Sequence, residues 1–343
     1  MPWPLVKLVP KKTNFKFVKF ATIAAAFSVF AVAATFVSIF TGGLRENPIA
    51  IYQTAPGGVG DKLGAILAKG FNLGIDFKGG ISMEMVDKTA PIDIAKVREE
   101  TERLHVGDVQ VQAFGDPHHA IVRFQPDPAK VQQTNAAVQA GLKQIIPNVE
   151  FKNPEFVSAK VSGELFSSGL IALGLAILLM LVYIWFRFEW QFGIGAVFAL
   201  FHDTILTLGL FSVFRIDFTL TIIAALLTII GYSMNDTVVV FDRLRENLRK
   251  YKRMSLADVI DLSTNETLSR TMITSLTALI AALALLYFGG KTLEGFAIAM
   301  IFGILIGTYS SIYVAAPAIL LWGVKRGDGE PDRAIGETKT ATG

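Results

Sequence analysis

Six stretches of this chain stay apolar long enough to cross a bilayer, and one long polar stretch separates the first from the second. The apolar runs cover residues 17–40, 165–186, 192–214, 218–241, 268–289 and 293–322. Each suits a helix rising ~1.5 Å per residue through a hydrocarbon core of ~30 Å. The first contains Ala31-Val32-Ala33 and follows several lysines, as a signal sequence does. Its apolar part is roughly twice the ordinary signal core of 7–15 residues, so it reads as a retained anchor.

Segment 41–164 is a domain rather than a loop. After a linker at Pro56-Gly57-Gly58-Val59-Gly60, residues 81–86 alternate as a strand, and 92–104 has helical spacing with Glu99 and Glu100 outward. Strands at 109–114 and 120–124 flank a turn at Gly115-Asp116-Pro117, a helix runs over 129–146, and a last strand lies near 149–151. The order β-α-β-β-α-β predicts a ferredoxin-like sandwich. The fold class is therefore an α-helical polytopic membrane protein, with six transmembrane helices and a small α+β domain between helices 1 and 2. Just before the first strand, Gly74, Asp76, Phe77, Gly79 and Gly80 form a glycine-rich motif. It leads into a strand and not a helix N-terminus, so it predicts a sharp backbone bend, not a phosphate loop.

Cations set the expected orientation, because Lys and Arg accumulate on the cytoplasmic side. The tail 1–16, the basic loop 242–267 with Arg243, Arg245, Arg249, Lys250, Lys252 and Arg253, and the tail 323–343 with Lys325 and Arg326 all belong there. The opposite short connections carry Arg215 and Lys291. The α+β domain then lies outside, in the periplasm of a cell with an inner membrane. Trp185, Trp190 and Trp322 fall near the cytoplasmic interface, where amphipathic rings are favoured.

Composition agrees: 52% of residues are hydrophobic, 18% are charged, and mean hydropathy is +0.49, which places the chain among membrane proteins. The absence of Cys excludes disulfides, thiolate metal sites and Cys nucleophiles. His105, His118, His119 and His202 are too scattered for a metal cluster, and the pair His118-His119 falls at a predicted turn. No Gly-x-x-x-x-Gly-Lys, Gly-x-Ser-x-Gly or His-Glu-x-x-His sequence occurs. The expectation is a transport component without covalent catalysis or a resident cofactor, with protons as the coupling ion.

Charged residues inside the spans are the candidate chemistry, since an intramembrane acid is expensive and usually has a partner. Asp236, beside Asn235, interrupts the fourth span about six residues from its cytoplasmic end, roughly 9 Å deep. Arg270 opens the fifth span on the same side, where Thr267, Thr271, Thr274 and Ala278 form a small, polar stripe. The two meet if these helices are antiparallel neighbours. His202 and Asp203 lie near the middle of the third span and form either a second relay site or a structural pair. Ser233, Asn235, Thr237 and Thr271 complete the candidate proton pathway with Asp236 and Arg270, or Ser233, Asn235 and Thr237 satisfy Asp236 in a packing role. Arg270 alternatively snorkels to headgroups. Gly303 and Gly307 have the spacing that lets helices approach closely.

The sequences Phe71-Asn72-Leu73-Gly74-Ile75-Asp76-Phe77-Lys78-Gly79-Gly80, Arg187-Phe188-Glu189-Trp190 and Phe201-His202-Asp203, then Gly231-Tyr232-Ser233-Met234-Asn235-Asp236-Thr237, Thr267-Leu268-Ser269-Arg270-Thr271 and Gly307-Thr308-Tyr309-Ser310-Ser311, occur in that order. As a set they make the chain similar to the SecF family of bacterial Sec protein export. The resemblance implies pairing with SecD in an assembly like one transporter of the resistance-nodulation-division type. It also implies assistance to the SecYEG channel after SecA-driven export has begun, using the proton motive force on an unfolded preprotein among membrane lipids, with no nucleic acid. Asp236 and Arg270 match the family's membrane acid and base for proton conduction. Two other functions fit the same architecture: half of a pump for lipids or small hydrophobic molecules, and an unenergised scaffold.

Overall fold

The computed structural model describes residues 13–42, 47–54, 58, 62, 65–66, 69–107, 109–114, 116–127 and 129–324. Residues 1–12, the linker 56–60 apart from Gly58, Gly115 and the tail 325–343 lie outside the described residues. In chain order the main elements are α1 (Phe17–Phe40), β1 (Gly80–Asp87), α2 (Ile94–Arg103), β2 (Val109–Phe114), β3 (Asp116–Phe124), α3 (Val131–Ile145) and β4 (Val149–Val157). They continue with α4 (Ala159–Arg187), α5 (Trp190–Phe214), α6 (Leu220–Lys250), α7 (Leu256–Phe288), α8 (Gly290–Ser310), a π-helical segment Ser311–Ala315, and α9 (Ala316–Trp322). Two compact units result: residues Leu73–Ile171, and the remainder.

In the first unit the sheet order is β2-β3-β1-β4, antiparallel throughout, as a β-α-β-β-α-β chain requires when each helix returns it across one sheet face. Strand alternation chooses that face. Ile81, Met83 and Met85 of β1 point into a core with Val111, Ala120, Val122 and Phe124, and Val97 of α2 with Val138 and Leu142 of α3 cover it. Ser82 and Glu84 take the intervening positions, and Glu84 binds Lys152 and His119 beside it. Asp93 caps α2 by accepting hydrogen bonds from the amides of Ala95 and Lys96 at 3.0 and 3.3 Å.

The glycine motif makes one helical turn, Ile75–Lys78, and then bends sharply. Gly79 and Gly80 have φ of +72° and +109°, conformations that favour glycine. A Cβ on Gly80 would also lie 2.5 Å from the carbonyl oxygen of Phe124, so nothing larger lets β1 run this close to β3. Phe77 is buried, its ring 5.4 Å from that of Phe166.

The second unit holds helices long and apolar enough to cross a membrane, and together with α4 the described residues contain six such helices, the last of which includes the π segment. α5 and α6 are its centre: 56% of the most apolar stretch of each is buried, against 11% for α4 and α7. Small residues permit the contacts. Gly303 of α8 lies against Ile229 and Gly307 against Ser233, both on α6, while Gly209 of α5 lies against Thr35 of α1. Phe188 and Phe192 each pack edge-on against Phe241 at one end, with Phe192 and Phe241 centred 5.4 Å apart.

Three local expectations are corrected. The basic loop 242–267 is mostly helix: α6 continues to Lys250, the chain turns over residues 251–255, and α7 starts at Leu256 behind the cap of Ser255. The amphipathic repeat explains it, since Leu244 and Leu248 are buried while the polar side closes on α7. There Asn247 donates to Ser263 and Glu266 at 3.0 and 2.7 Å, and Arg243 donates to Glu266 at 2.7 Å. The last strand runs on to Val157, and Asp116 and Pro117 belong to β3 rather than to a turn. His118 and His119 therefore lie on a strand, where His118 Nδ1 bonds the carbonyl of Asp87 at 2.8 Å and His119 Nδ1 meets Glu84 at 3.2 Å.

Candidate functional site

The short connection at 251–255 makes α6 and α7 antiparallel neighbours, and these two helices carry the candidate acid and base. Asp236 is buried, and its Oδ2 has no hydrogen-bond partner among the described residues. Thr271 of α7 is also buried, and its Oγ1 has no hydrogen-bond partner among the described residues. Arg270 itself is exposed on this chain. An acid with a spare oxygen inside an apolar bundle is costly and usually has a partner or a role.

The groups nearest Asp236 in sequence do not satisfy it. Asn235 faces outward, Thr237 Oγ1 donates to the carbonyl of Ser233 at 3.2 Å, and the Ser233 hydroxyl donates to Asp203 of α5. The reason is rotational: successive helix positions are 100° apart, so neighbours of Asp236 point at different helices. The α7 stripe divides likewise, with Thr267 Oγ1 donating to the Ser263 carbonyl one turn earlier at 3.0 Å.

His202 and Asp203 form a second polar cluster, buried at the centre of the unit. His202 Nδ1 lies 2.9 Å from Asp203 Oδ1, and His202 Nε2 lies 3.1 Å from Ser28 Oγ of α1. Asp203 Oδ2 accepts from Ser310 at 2.7 Å and from Ser233. Ser28 meets the Tyr309 hydroxyl at 3.0 Å, which in turn donates to the Ala24 carbonyl at 2.8 Å. Four helices, α1, α5, α6 and α8, meet on this network.

Sequence reasoning misses Ser28 and the anchoring role of Tyr309 and Ser310, although hydroxyls recurring within apolar spans were the available signal. It also misses the joint between α1 and α7. Lys16, which precedes α1, supplies no side-chain cap, and Asp261 of α7 takes over by accepting from the Val18 amide at 2.9 Å. Asn265 accepts from the Phe15 amide at 2.9 Å and donates to its carbonyl at 2.8 Å. Further along, Tyr232, Ser275 and Thr308 tie α6, α7 and α8 through hydroxyl contacts of 3.2 and 2.6 Å.

Among the described residues, six long apolar helices that include buried acids, with a ferredoxin-like domain between the first two in sequence, define a multi-pass membrane protein. The family described as "Protein export membrane protein SecD/SecF, C-terminal" matches residues 137–325, and the "SecD/SecF GG Motif" matches residues 64–86, which include Gly79 and Gly80. The protein translocase subunit SecF of Cereibacter sphaeroides is 44% identical over 340 residues, 96% of each chain. That of Rickettsia rickettsii is 39% identical over 322 residues, 93% of this chain and 95% of its own. The crystal structure of SecDF, a translocon-associated membrane protein from Thermus, superposes with a TM-score of 0.73 at 30% identity. It covers 92% of this chain, whereas this chain spans 39% of the Thermus one. The chain belongs to the SecF family.

Proposed function

We propose that this chain is a subunit of protein export that, with a SecD-type partner, uses the proton motive force to help complete the passage of unfolded preproteins delivered through the SecYEG channel by SecA. The observation that carries the proton role is the buried, unpartnered Oδ2 of Asp236 on α6, the helix that neighbours α7 with its Arg270. The carboxylate is favoured beside the guanidinium and the neutral acid away from it, so a shift of α6 against α7 exchanges a proton. One proton crossing 100 mV supplies ~2.3 kcal/mol. Swinging a two-state element from 1:99 to 99:1 takes ~5.5 kcal/mol, so two or three protons, or a less complete swing, fit the energetics.

The partner reading is supported by what α6 and α7 leave uncovered. Ala224, Thr228, Gly231 and Asn235 are exposed at helical spacing on α6, and Arg270 and Thr277 are exposed on α7. A small, polar seam at membrane depth suits another helix better than lipid. Cation placement supports cytoplasmic termini and a periplasmic α+β domain in the inner membrane.

Export into inverted membrane vesicles tests the reading. Asp236→Asn and Arg270→Gln should each remove the proton-gradient dependence of late translocation while the partner still co-purifies. Full gradient dependence in Asp236→Asn would instead favour an unenergised scaffold. Efflux of a hydrophobic dye that survives loss of the SecD-type partner would favour the pump.

A further inference from the structure

Donor counting through the buried network fixes where its hydrogens sit. A carbonyl cannot donate, so Tyr309 spends its one hydroxyl hydrogen on Ala24, and the 3.0 Å contact with Ser28 must be donated by Ser28. Ser28 then has no hydrogen left for His202, so His202 Nε2 carries one and donates it across 3.1 Å. The 2.9 Å contact between Nδ1 and Asp203 Oδ1 needs a hydrogen of its own, since two lone pairs at that distance repel. Asp203 Oδ2 is already occupied by the hydroxyls of Ser233 and Ser310. The cluster as built therefore holds one proton between Nδ1 and Oδ1, beyond what neutral His202 with ionised Asp203 contains.

We propose that His202 and Asp203 form a one-proton binding site whose occupancy is transmitted to α1 through Ser28 and Tyr309. When the proton leaves, the imidazole keeps a single hydrogen, which moves to Nδ1 to hold the Asp203 carboxylate. Nε2 becomes an acceptor, Ser28 reverses to donate to it, and Tyr309 reverses to donate to Ser28. The Ala24 carbonyl then loses its tyrosine bond. Two hydroxyl rotations thus convert proton loss into the loss of one of the two hydrogen bonds that tie Tyr309 to α1.

The surroundings fit such a device. The titratable groups that face the pair come from the last span: Tyr309, ring-stacked on His202 at 6.0 Å, and behind it Tyr313 at 5.5 Å from Tyr309. From α1 and α6 the contacts are the hydroxyls of Ser28 and Ser233, with Asp236 three residues further along α6. Tyr309 and Ser310 lie directly before the π-helical segment Ser311–Ala315, a geometry that accommodates local shifts of register. The site stands apart from the Asp236–Arg270 pair and does not require that reading.

The test uses the full chain with its partner in lipid nanodiscs. Because the sequence has no Cys, spin labels on Val29→Cys and Leu305→Cys, both exposed positions, report the separation of α1 and α8. Infrared difference spectra of His202 and Asp203 report the proton. Expected is a single imidazole–carboxyl titration, lost in Asp203→Asn and His202→Gln and kept in Asp236→Asn, with a label distance that changes across the same pH interval. Tyr309→Phe should keep the titration and abolish the distance change. A pair that does not titrate, or a distance change that persists in Tyr309→Phe, overturns the proposal. A loss of gradient dependence confined to Asp236→Asn bears on the export reading alone.

Discussion

Asp236 Oδ2 on α6 and Thr271 Oγ1 on α7 are both buried and both without a hydrogen-bond partner. A buried polar atom left unpaired costs ~1–3 kcal/mol. Keeping two at one helix contact leaves a site that a proton, a water or a shifted Arg270 can satisfy.

Thr271→Val follows from that pairing. Replacing an unsatisfied hydroxyl by an isosteric methyl should leave the chain as stable or raise its stability by about 1 kcal/mol, as read by thermal unfolding in detergent. Ser310→Ala makes the control, because it strips a donor from Asp203 and should lower stability by ~1–3 kcal/mol.

Gly209 bears on the contact between α1 and α5. A Cβ there would lie 2.2 Å from Thr35 Oγ1 and 2.8 Å from its Cγ2. Gly209→Ala should destabilise by ~1–3 kcal/mol through overpacking. Adding Thr35→Ala should recover part of the loss, measured as the melting temperature of the double variant.

Asp261 caps a helix that is over 240 positions away in sequence. Asp261→Ala should cost ~0.5–2 kcal/mol as a lost cap. Hydrogen exchange at the amides of residues 15–18 should quicken while exchange at the centre of α1 stays slow.

Asp87 gives the pH dependence of the α+β domain. Its carboxylate accepts from the Thr89 hydroxyl at 2.6 Å and amide at 2.7 Å, and these bonds hold its pKa below the ordinary carboxylate value. A lowered folded-state pKa stabilises above the unfolded-chain value and loses that stabilisation as pH falls through the folded one. Acidification should therefore lower the protection factors of the Thr89 and Ala90 amides, taken relative to their intrinsic exchange rates at each pH, and Asp87→Asn should flatten that dependence.

Periodicity alone determined much of this protein. Continuous apolar runs give the membrane helices because unpaired backbone groups are intolerable in hydrocarbon. Alternation at Ile81, Met83 and Met85 gives a one-sided strand, the glycines at 79 and 80 give a bend, and the expense of a carboxyl at depth singles out Asp236. The rest needed the tertiary structure. A uniformly apolar helix carries no stripe that says which way it is rotated, so the sequence could not show that Ser233 serves Asp203 while Asp236 turns to α7. Nor could it show that Asn235 and Arg270 face outward, or extend α6 through the basic segment to Lys250. The bonds that decide the site join residues far apart in the chain, His202 to Ser28 across 174 positions and Val18 to Asp261 across 243. Only the packing of helices through Gly209, Gly303 and Gly307 brings those partners within hydrogen-bonding distance.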